Sequence, residues 1–329
     1  MSLLSSIGVE NSGFSGLKEK TKGRRVVVAL SSGGLRIVCH LPLLRILENL
    51  EIKVDELWGV SAGSIAGGLW ASGRSSLEIE EFILNVKKHE IYDNYLIPGL
   101  RALLPSKNGE TVGILSGKKL VKYLRKLIGN EINPLLNLKD FRVLAFNRGL
   151  NCRAVMRVGT EPGTIEITQE IDGRLSIERG FLVDMLRASF ATPVMFKPVR
   201  LNGHYYVDGG ITENYPVLTA LEHYRKDLEA GRETRGMIVI GVNIGYSGEF
   251  VDQPTNLIKS IAESYDIIGC ELSRLQIGLF NEKVKTLNLD CELITIDPGV
   301  NDLALTDFKR LPEALAKAVD STVQKLSSI

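Results

Sequence analysis

The sequence predicts an α/β protein with a mainly parallel central sheet under helical cover, and three features predict it. A continuous β-branched run over 25–31 (RVVVALS) reads as a strand buried on both faces. Strand and helix patterns then alternate through residue 71 at the spacing of consecutive β–α units. Further apolar strand-like runs at 237–242 and 292–296 flank a long helical pattern.

The 329 residues are enough for one large domain, and the sequence shows no internal repeat or linker. We therefore expect an N-terminal arm over 1–23 and a single domain over 24–329. Lys plus Arg number 40 against 39 Asp plus Glu, so no global field draws in nucleic acid or an acidic partner. Cys39, Cys152, Cys270 and Cys291 are widely spread, match no metal spacing, and read as reduced, buried thiols. No apolar run reaches membrane-spanning length and the N-terminus lacks a secretory pattern. The expected location is cytoplasmic, with peripheral contact at a membrane surface.

Taken in order, residues 1–23 are rich in Ser, Gly and Lys without sustained periodicity and read as a loose arm. Lys18, Lys20, Lys22, Arg24 and Arg25 cluster at its end, first as a solvated run and second as a contact for anionic headgroups. The strand over 25–31 leads into the small-residue loop Ser32-Gly33-Gly34-Leu35, and Arg36 opens a helix to about residue 50. A strand over 56–60 delivers Ser61, a helix carries the chain to residue 71, and another helix covers 77–88. Between 90 and 115, Tyr92, Tyr95, Leu100 and Leu103 are interrupted by Pro98, Gly99, Pro105 and Gly109. That pattern fits a lid over a site (an acyl-chain cover at 92–104) or a short helix filling a groove.

Ser116 caps a helix over 117–128. Strands over 142–146, 152–158 and 164–168 follow, with a turn at Glu161-Pro162-Gly163. A helix over 177–191 stops at Thr192-Pro193. Strands over 196–201 and 205–207, joined at Asn202-Gly203, lead to Asp208-Gly209-Gly210. Helices over 217–230, 256–280 and 311–326 alternate with the strands at 237–242 and 292–296.

Three pieces of this chain carry chemistry. Trp58-Gly59-Val60-Ser61-Ala62-Gly63 is a Gly-x-Ser-x-Gly turn between a strand and a helix, which holds a serine at the top of a sheet. Gly59 and Gly63 are small because strand and helix pack closely there. The loop at Gly33-Gly34 opens a helix, so its backbone N–H groups can face an anion. Asp208 follows a strand, with Gly209 and Gly210 permitting close backbone approach. Each alone also reads as an ordinary turn, but parallel sheets build their sites at the carboxyl ends of strands, where all three can meet.

With those motifs, three flanking stretches resemble the patatin-like phospholipase family in order and spacing over residues 25–217. They are His40-Leu41-Pro42-Leu43-Leu44, Ala188-Ser189-Phe190-Ala191-Thr192-Pro193 and Asn214-Tyr215-Pro216-Val217. The resemblance implies a three-layer α/β/α domain acting as a lipid acyl hydrolase, with Ser61 as nucleophile, Asp208 as its base and no histidine, metal or other cofactor. It implies phospholipid or lysophospholipid esters as substrates. The chemistry places an oxyanion hole at the amides of Gly33 and Gly34, with Leu35 N–H and the charge of Arg36 assisting. The family's loop reads Gly-x-Gly-x-x-Gly, whereas this chain has Ser32, Gly34 and Ile37 at those positions. A positive φ at Ser32 would cost roughly 1–2 kcal/mol and weaken the loop.

Rival readings keep the same residues. One is an acyltransferase or a neutral-lipid or thioester hydrolase on the same pair. Another is a catalytically weakened lipid-binding regulator, suggested by Ser32. A third is a triad, since Ser61, Asp208 and His223 stand in α/β-hydrolase order. His223 falls inside a helix, His40 reads as a packing residue, and His89 and His204 sit at a helix end and a turn, so none has a catalytic setting.

Overall fold

The computed structural model describes residues 2–7, 11–93, 113–128, 140–161, 163–245, 257–300, 303 and 307–329. Its strands are β1 (Arg25–Leu30), β2 (Glu56–Val60), β3 (Phe141–Asn147), β4 (Cys152–Val158), β5 (Thr164–Gln169), β6 (Leu175–Arg179), β7 (Val199–Leu201), β8 (His204–Asp208), β9 (Met237–Val242) and β10 (Cys291–Ile296). All join one mixed sheet, in the order β10-β9-β1-β2-β3-β4-β5-β6, with β8 on β3 and β7 on β8. The stretch from β10 to β3 is parallel, while β4, β5, β6, β7 and β8 are added antiparallel.

The helices are α1 (Ser15–Thr21), α2 (Leu41–Asn49), α3 (Ala62–Ala71), α4 (Ser76–Asn85), α5 (Lys88–Ile91), α6 (Lys118–Ile128), α7 (Leu182–Ser189), α8 (Val217–Glu229), α9 (Leu257–Thr286) and α10 (Leu311–Ser327). They form two layers because β1 buries both faces. Val26, Val28 and Leu30 point into a core shared with α1, α2, α3, α7 and α10. Val27 and Ala29 point the other way, into a core with Tyr215, Leu221, Tyr224 and Phe280 from α8, α9 and the segment before α8. The period-two alternation of a strand thus yields a three-layer α/β/α architecture. No helix among the described residues is long and apolar enough to cross a membrane.

Several elements differ from the sequence expectation, each for a local reason. Described residues of the 1–23 arm pack rather than hang loose: Leu4, Ile7, Phe14 and Leu17 are buried in the main core. These few apolar residues are scattered among Ser, Gly and Lys, so composition alone hid that contact. The helix expected from Arg36 begins as a tight 3-10 segment, Gly34–His40, and becomes α-helical only at α2. Pro42, in the first turn of α2, lacks an N–H and cannot lie deeper inside a helix. The helix expected over 177–191 is a strand followed by a helix. Leu175–Arg179 pairs with β5 and alternates in exposure, and α7 starts after Gly180 with Asp184 accepting from the Phe181 N–H at 2.9 Å. The strand expected from residue 196 starts at Val199, after Pro198, which has no N–H to offer a ladder. Most of the predicted lid (94–104), Pro162 of the predicted turn and the predicted helix start at 256 lie outside the described residues.

Candidate active site

The edge of β3 assembles the site. Its first half pairs with β2, ending at Val60 opposite Leu144. Its second half pairs along the same edge with β8, where Asp208 lies opposite Ala145. The residue after Val60 is Ser61, so serine and aspartate come from distant parts of the chain to adjacent rungs of one ladder. The Ser61 hydroxyl lies close enough to the Asp208 carboxylate to favour its charged form.

Ser61 has φ +50° and ψ −113°, a left-handed backbone that a non-glycine residue holds at a strain of about 1–3 kcal/mol. The turn is fixed from several sides. The Ser61 N–H donates to Ser189 Oγ at 2.8 Å, and the Ser189 hydroxyl donates to the Leu144 carbonyl at 2.7 Å, tying the turn to β3. The Ser64 hydroxyl donates to the Ser61 carbonyl at 2.6 Å. A Cβ on Gly59 would come within 2.6 Å of Ser64 Cα, and one on Gly63 would run into the Leu30 carbonyl. The two glycines are therefore required by backbone contact.

Asp208 is 3 % exposed and Ser61 6 %. Burial disfavours charge and raises the Asp208 pKa above the ordinary carboxylate value. Two donors oppose that shift, Thr192 Oγ1 to Oδ2 at 2.7 Å and the Gly210 N–H to Oδ1 at 2.8 Å, and the nearby Ser61 hydroxyl acts in the same direction. A desolvated carboxylate is a stronger base than one in water, and the donors on it favour its charged form. A Cβ on Gly209 would approach the Leu144 carbonyl to 2.6 Å, so this position too admits only glycine without a backbone shift.

The glycine loop closes over the same point. Gly63 N–H donates to the Ser31 carbonyl at 3.2 Å, and a Cβ on Gly210 would lie 3.0 Å from Ser32. Gly34 carries the positive φ of +61°, Gly33 is extended, and Ser32 is not among the positive-φ residues. The strain foreseen at Ser32 is therefore absent, and Ile37 likewise sits in the 3-10 segment without a positive φ. The N–H groups of Gly33, Gly34 and Leu35 donate to no acceptor among the described residues. Leu35 and Arg36 are buried. The Arg36 Nε donates to the Gly33 carbonyl at 3.2 Å and its guanidinium pairs with Asp266 of α9, which anchors the loop from outside.

Helix α9 roofs this region. Besides Asp266, it supplies the Ser273 hydroxyl, which accepts from Asn214 Nδ2 at 2.9 Å, and Gln276 Oε1, which accepts from the Tyr215 N–H at 3.0 Å. Tyr265, half-buried on α9, lies close enough to Asp208 for the carboxylate to raise its pKa along with burial. Sequence reasoning had given no role to Ser189, Thr192, Tyr265 or Asp266. The first two stand inside the stretch quoted for its family likeness, but nothing in a linear pattern marks the last two.

The histidines lie elsewhere. His40 is fully buried with Nε2 3.0 Å from the Ser31 carbonyl, and burial lowers its pKa to about 3. His223 contacts Arg142, near the start of β3, and its pKa falls to about 4 through burial and the Arg142 charge. It is not joined to Asp208, so the ordinary triad is not assembled. Glu56, His223 and Asp227 place three ligand-type atoms within 4.8 Å of one another. Arg25 already pairs with both carboxylates and Arg142 with Glu56, so the cluster is charge-compensated and unsuited to a cation. A cavity of about 400 Å³ between α3, α4 and α6, lined by Leu69, Ile79, Phe82 and Leu127, includes neither Ser61 nor Asp208.

Comparison with known proteins identifies the family. Residues 28–221 match the family model described as patatin-like phospholipase. A probable lipid hydrolase of Invertebrate iridescent virus 6 is 27 % identical over 211 residues, 60 % of this chain and 64 % of the viral protein. A lysophospholipase of Cryptococcus neoformans var. neoformans is 24 % identical over 216 residues, 65 % of this chain and 12 % of the fungal one. The chain thus spans less than two thirds of these relatives. The solved structure of VipD from Legionella pneumophila superposes with a TM-score of 0.42 at 16 % identity, covering 93 % of this chain and 67 % of VipD. With its family model covering more than half of its length, the chain belongs to the patatin-like phospholipase family.

Proposed function

We propose that the protein is a lipid acyl hydrolase of the phospholipase A or lysophospholipase type, working through an acyl-enzyme on Ser61 with Asp208 as the base. The observation that carries this reading is the placement of a strained, buried serine and a desolvated carboxylate on neighbouring rungs of β3, close enough for the hydroxyl to act on the carboxylate. In the first step the Ser61 oxygen attacks the ester carbonyl carbon while its proton passes to Asp208. The carbonyl oxygen becomes an oxyanion beside the free amides of Gly33, Gly34 and Leu35, each such donor being worth about 3–4 kcal/mol. The ester C–O bond then breaks and Asp208 returns the proton to the leaving alcohol. Water attacks the acyl-serine, gives its proton to Asp208, and the fatty acid leaves with Ser61 reprotonated.

The lipid class comes from the family and from the relatives' names, and the peripheral membrane contact from the nature of such a substrate. Ser32 has no positive φ, which favours the hydrolase over the weakened lipid-binding regulator. The test is labelling with a fluorophosphonate, followed by a panel of short-chain ester, lysophospholipid and phospholipid substrates with and without an alcohol acceptor. Wild type is labelled at Ser61, Ser61→Ala is not, and Asp208→Asn reacts at least about 100-fold more slowly. Full labelling of Asp208→Asn would remove Asp208 from the mechanism, and preferred transfer to the added alcohol would make the protein an acyltransferase.

A further inference from the structure

Helix α6 has a charge pattern that the hydrolase chemistry leaves unused. Lys118, Lys119, Lys122, Arg125 and Lys126 fall at i, i+1, i+4, i+7 and i+8, on one face, and all are exposed. Leu120, Val121, Leu124, Leu127 and Ile128 repeat the same spacing on the opposite face and pack against the core. The helix contains no Asp or Glu. Arg125 reaches Asp184 at 3.6 Å and Lys119 donates to the His89 carbonyl at 3.0 Å. Lys118, Lys122 and Lys126 have no carboxylate partner among the described residues.

The helix is also fixed relative to the dyad. Ile114 and Leu115, just before it, donate to the Val194 and Met195 carbonyls at 3.0 and 2.7 Å. That strip leaves Thr192, whose hydroxyl is on Asp208. At the helix start, Asp93 accepts from the N–H groups of Ser116 and Gly117 at 2.7 and 2.9 Å. The cationic face is thus tied through residues 194 and 195 to the strip whose Thr192 hydroxyl is on Asp208. Val194, 44 % exposed, lies on that segment between them.

We propose that α6 docks the protein on anionic lipid surfaces, its lysines meeting phosphate and carboxylate headgroups so that the dyad is presented to lipid esters. This rests on the lipid-hydrolase reading for its choice of a membrane over another polyanion. Because the apolar face of α6 is already spent on the core, docking is electrostatic and shallow, without insertion of the helix. It is therefore screened by salt over about 8 Å at physiological ionic strength.

The test is co-sedimentation of the full chain, as Ser61→Ala to prevent lipid turnover, with phosphatidylcholine vesicles with and without phosphatidylserine. Binding is expected to the phosphatidylserine vesicles, to weaken as salt rises, and to fall about fivefold for each lysine neutralised. Lys118→Gln/Lys122→Gln/Lys126→Gln together should lose on the order of a hundredfold, and the matching triple Lys→Arg variant should retain binding. Equal binding by the Gln and wild-type chains, equal binding to neutral vesicles, or tighter binding to a single-stranded oligonucleotide at the same salt would overturn the proposal. Circular dichroism shows whether the Gln variant is folded; if it is not, the Arg variant and the salt series decide, salt-insensitive binding being the contrary result. Failure of the hydrolase reading appears separately, as wild-type protein whose Ser61 resists fluorophosphonate.

Discussion

At the scale of single residues, the informative group is Thr192. Its hydroxyl donates to Asp208 Oδ2 at 2.7 Å and opposes the rise that burial imposes on the carboxylate's pKa. Thr192→Val keeps the shape and removes the donor, so the acidic limb of the labelling-rate profile should move to higher pH, while Thr192→Ser should restore it. An unshifted limb in Thr192→Val would show that Asp208 ionises independently of this bond. The main residues of the candidate site were legible in the sequence: the Gly-x-Ser-x-Gly turn, the Asp-Gly-Gly turn and the glycine loop are local, and backbone sterics force glycine at Gly59, Gly63 and Gly209. Thr192 and Ser189 act across the chain through single hydroxyls, and a hydroxyl in a loop has no periodicity to betray its partner. The concern over Ser32 came from pattern alone; the backbone puts the left-handed conformation at Gly34.

At the scale of elements, α1 carries the clearest consequence. Leu17 is fully buried against the main core, although composition marked its surroundings as loose. Leu17→Ala should lower unfolding stability by about 2–5 kcal/mol, measured by urea denaturation, whereas a merely tethered arm would give no change. Strands β1, β2 and β9 were readable because a strand buried on both faces is uniformly apolar. Strand β6 was not, because Leu175 and Ile177 are exposed and the following Phe181, Leu182, Met185 and Leu186 continue an apolar series that mimics a longer helix. The start of α2 shows the same limit: the periodic signal runs through Arg36–Leu50, but Pro42 divides it into two kinds of helix.

At the scale of the whole molecule, buried neutral histidine links folding to pH. His40 has a folded pKa near 3 against about 6.5 for an unperturbed histidine, because burial opposes its charged form. The unfolded chain therefore binds the extra proton first. Stability is fully present above about pH 6.5 and falls as pH drops toward the folded value, at up to about 1.4 kcal/mol per pH unit. Lowering pH from 6.5 to 5 should remove about 2 kcal/mol through this group, and His223 acts in the same direction. Thermal melts of wild type and His40→Gln across that interval should converge as the pH falls; parallel curves would mean His40 is not the coupled group. The division of labour along β3 has a different kind of consequence. Because one ladder seats Ser61 beside its lower half and Asp208 on its upper half, neither terminal fragment of a chain nicked between them holds both residues of the proposed pair. A nascent chain likewise reaches Ser61 long before Asp208, so the proposed pair forms only once the second half of the sheet has closed.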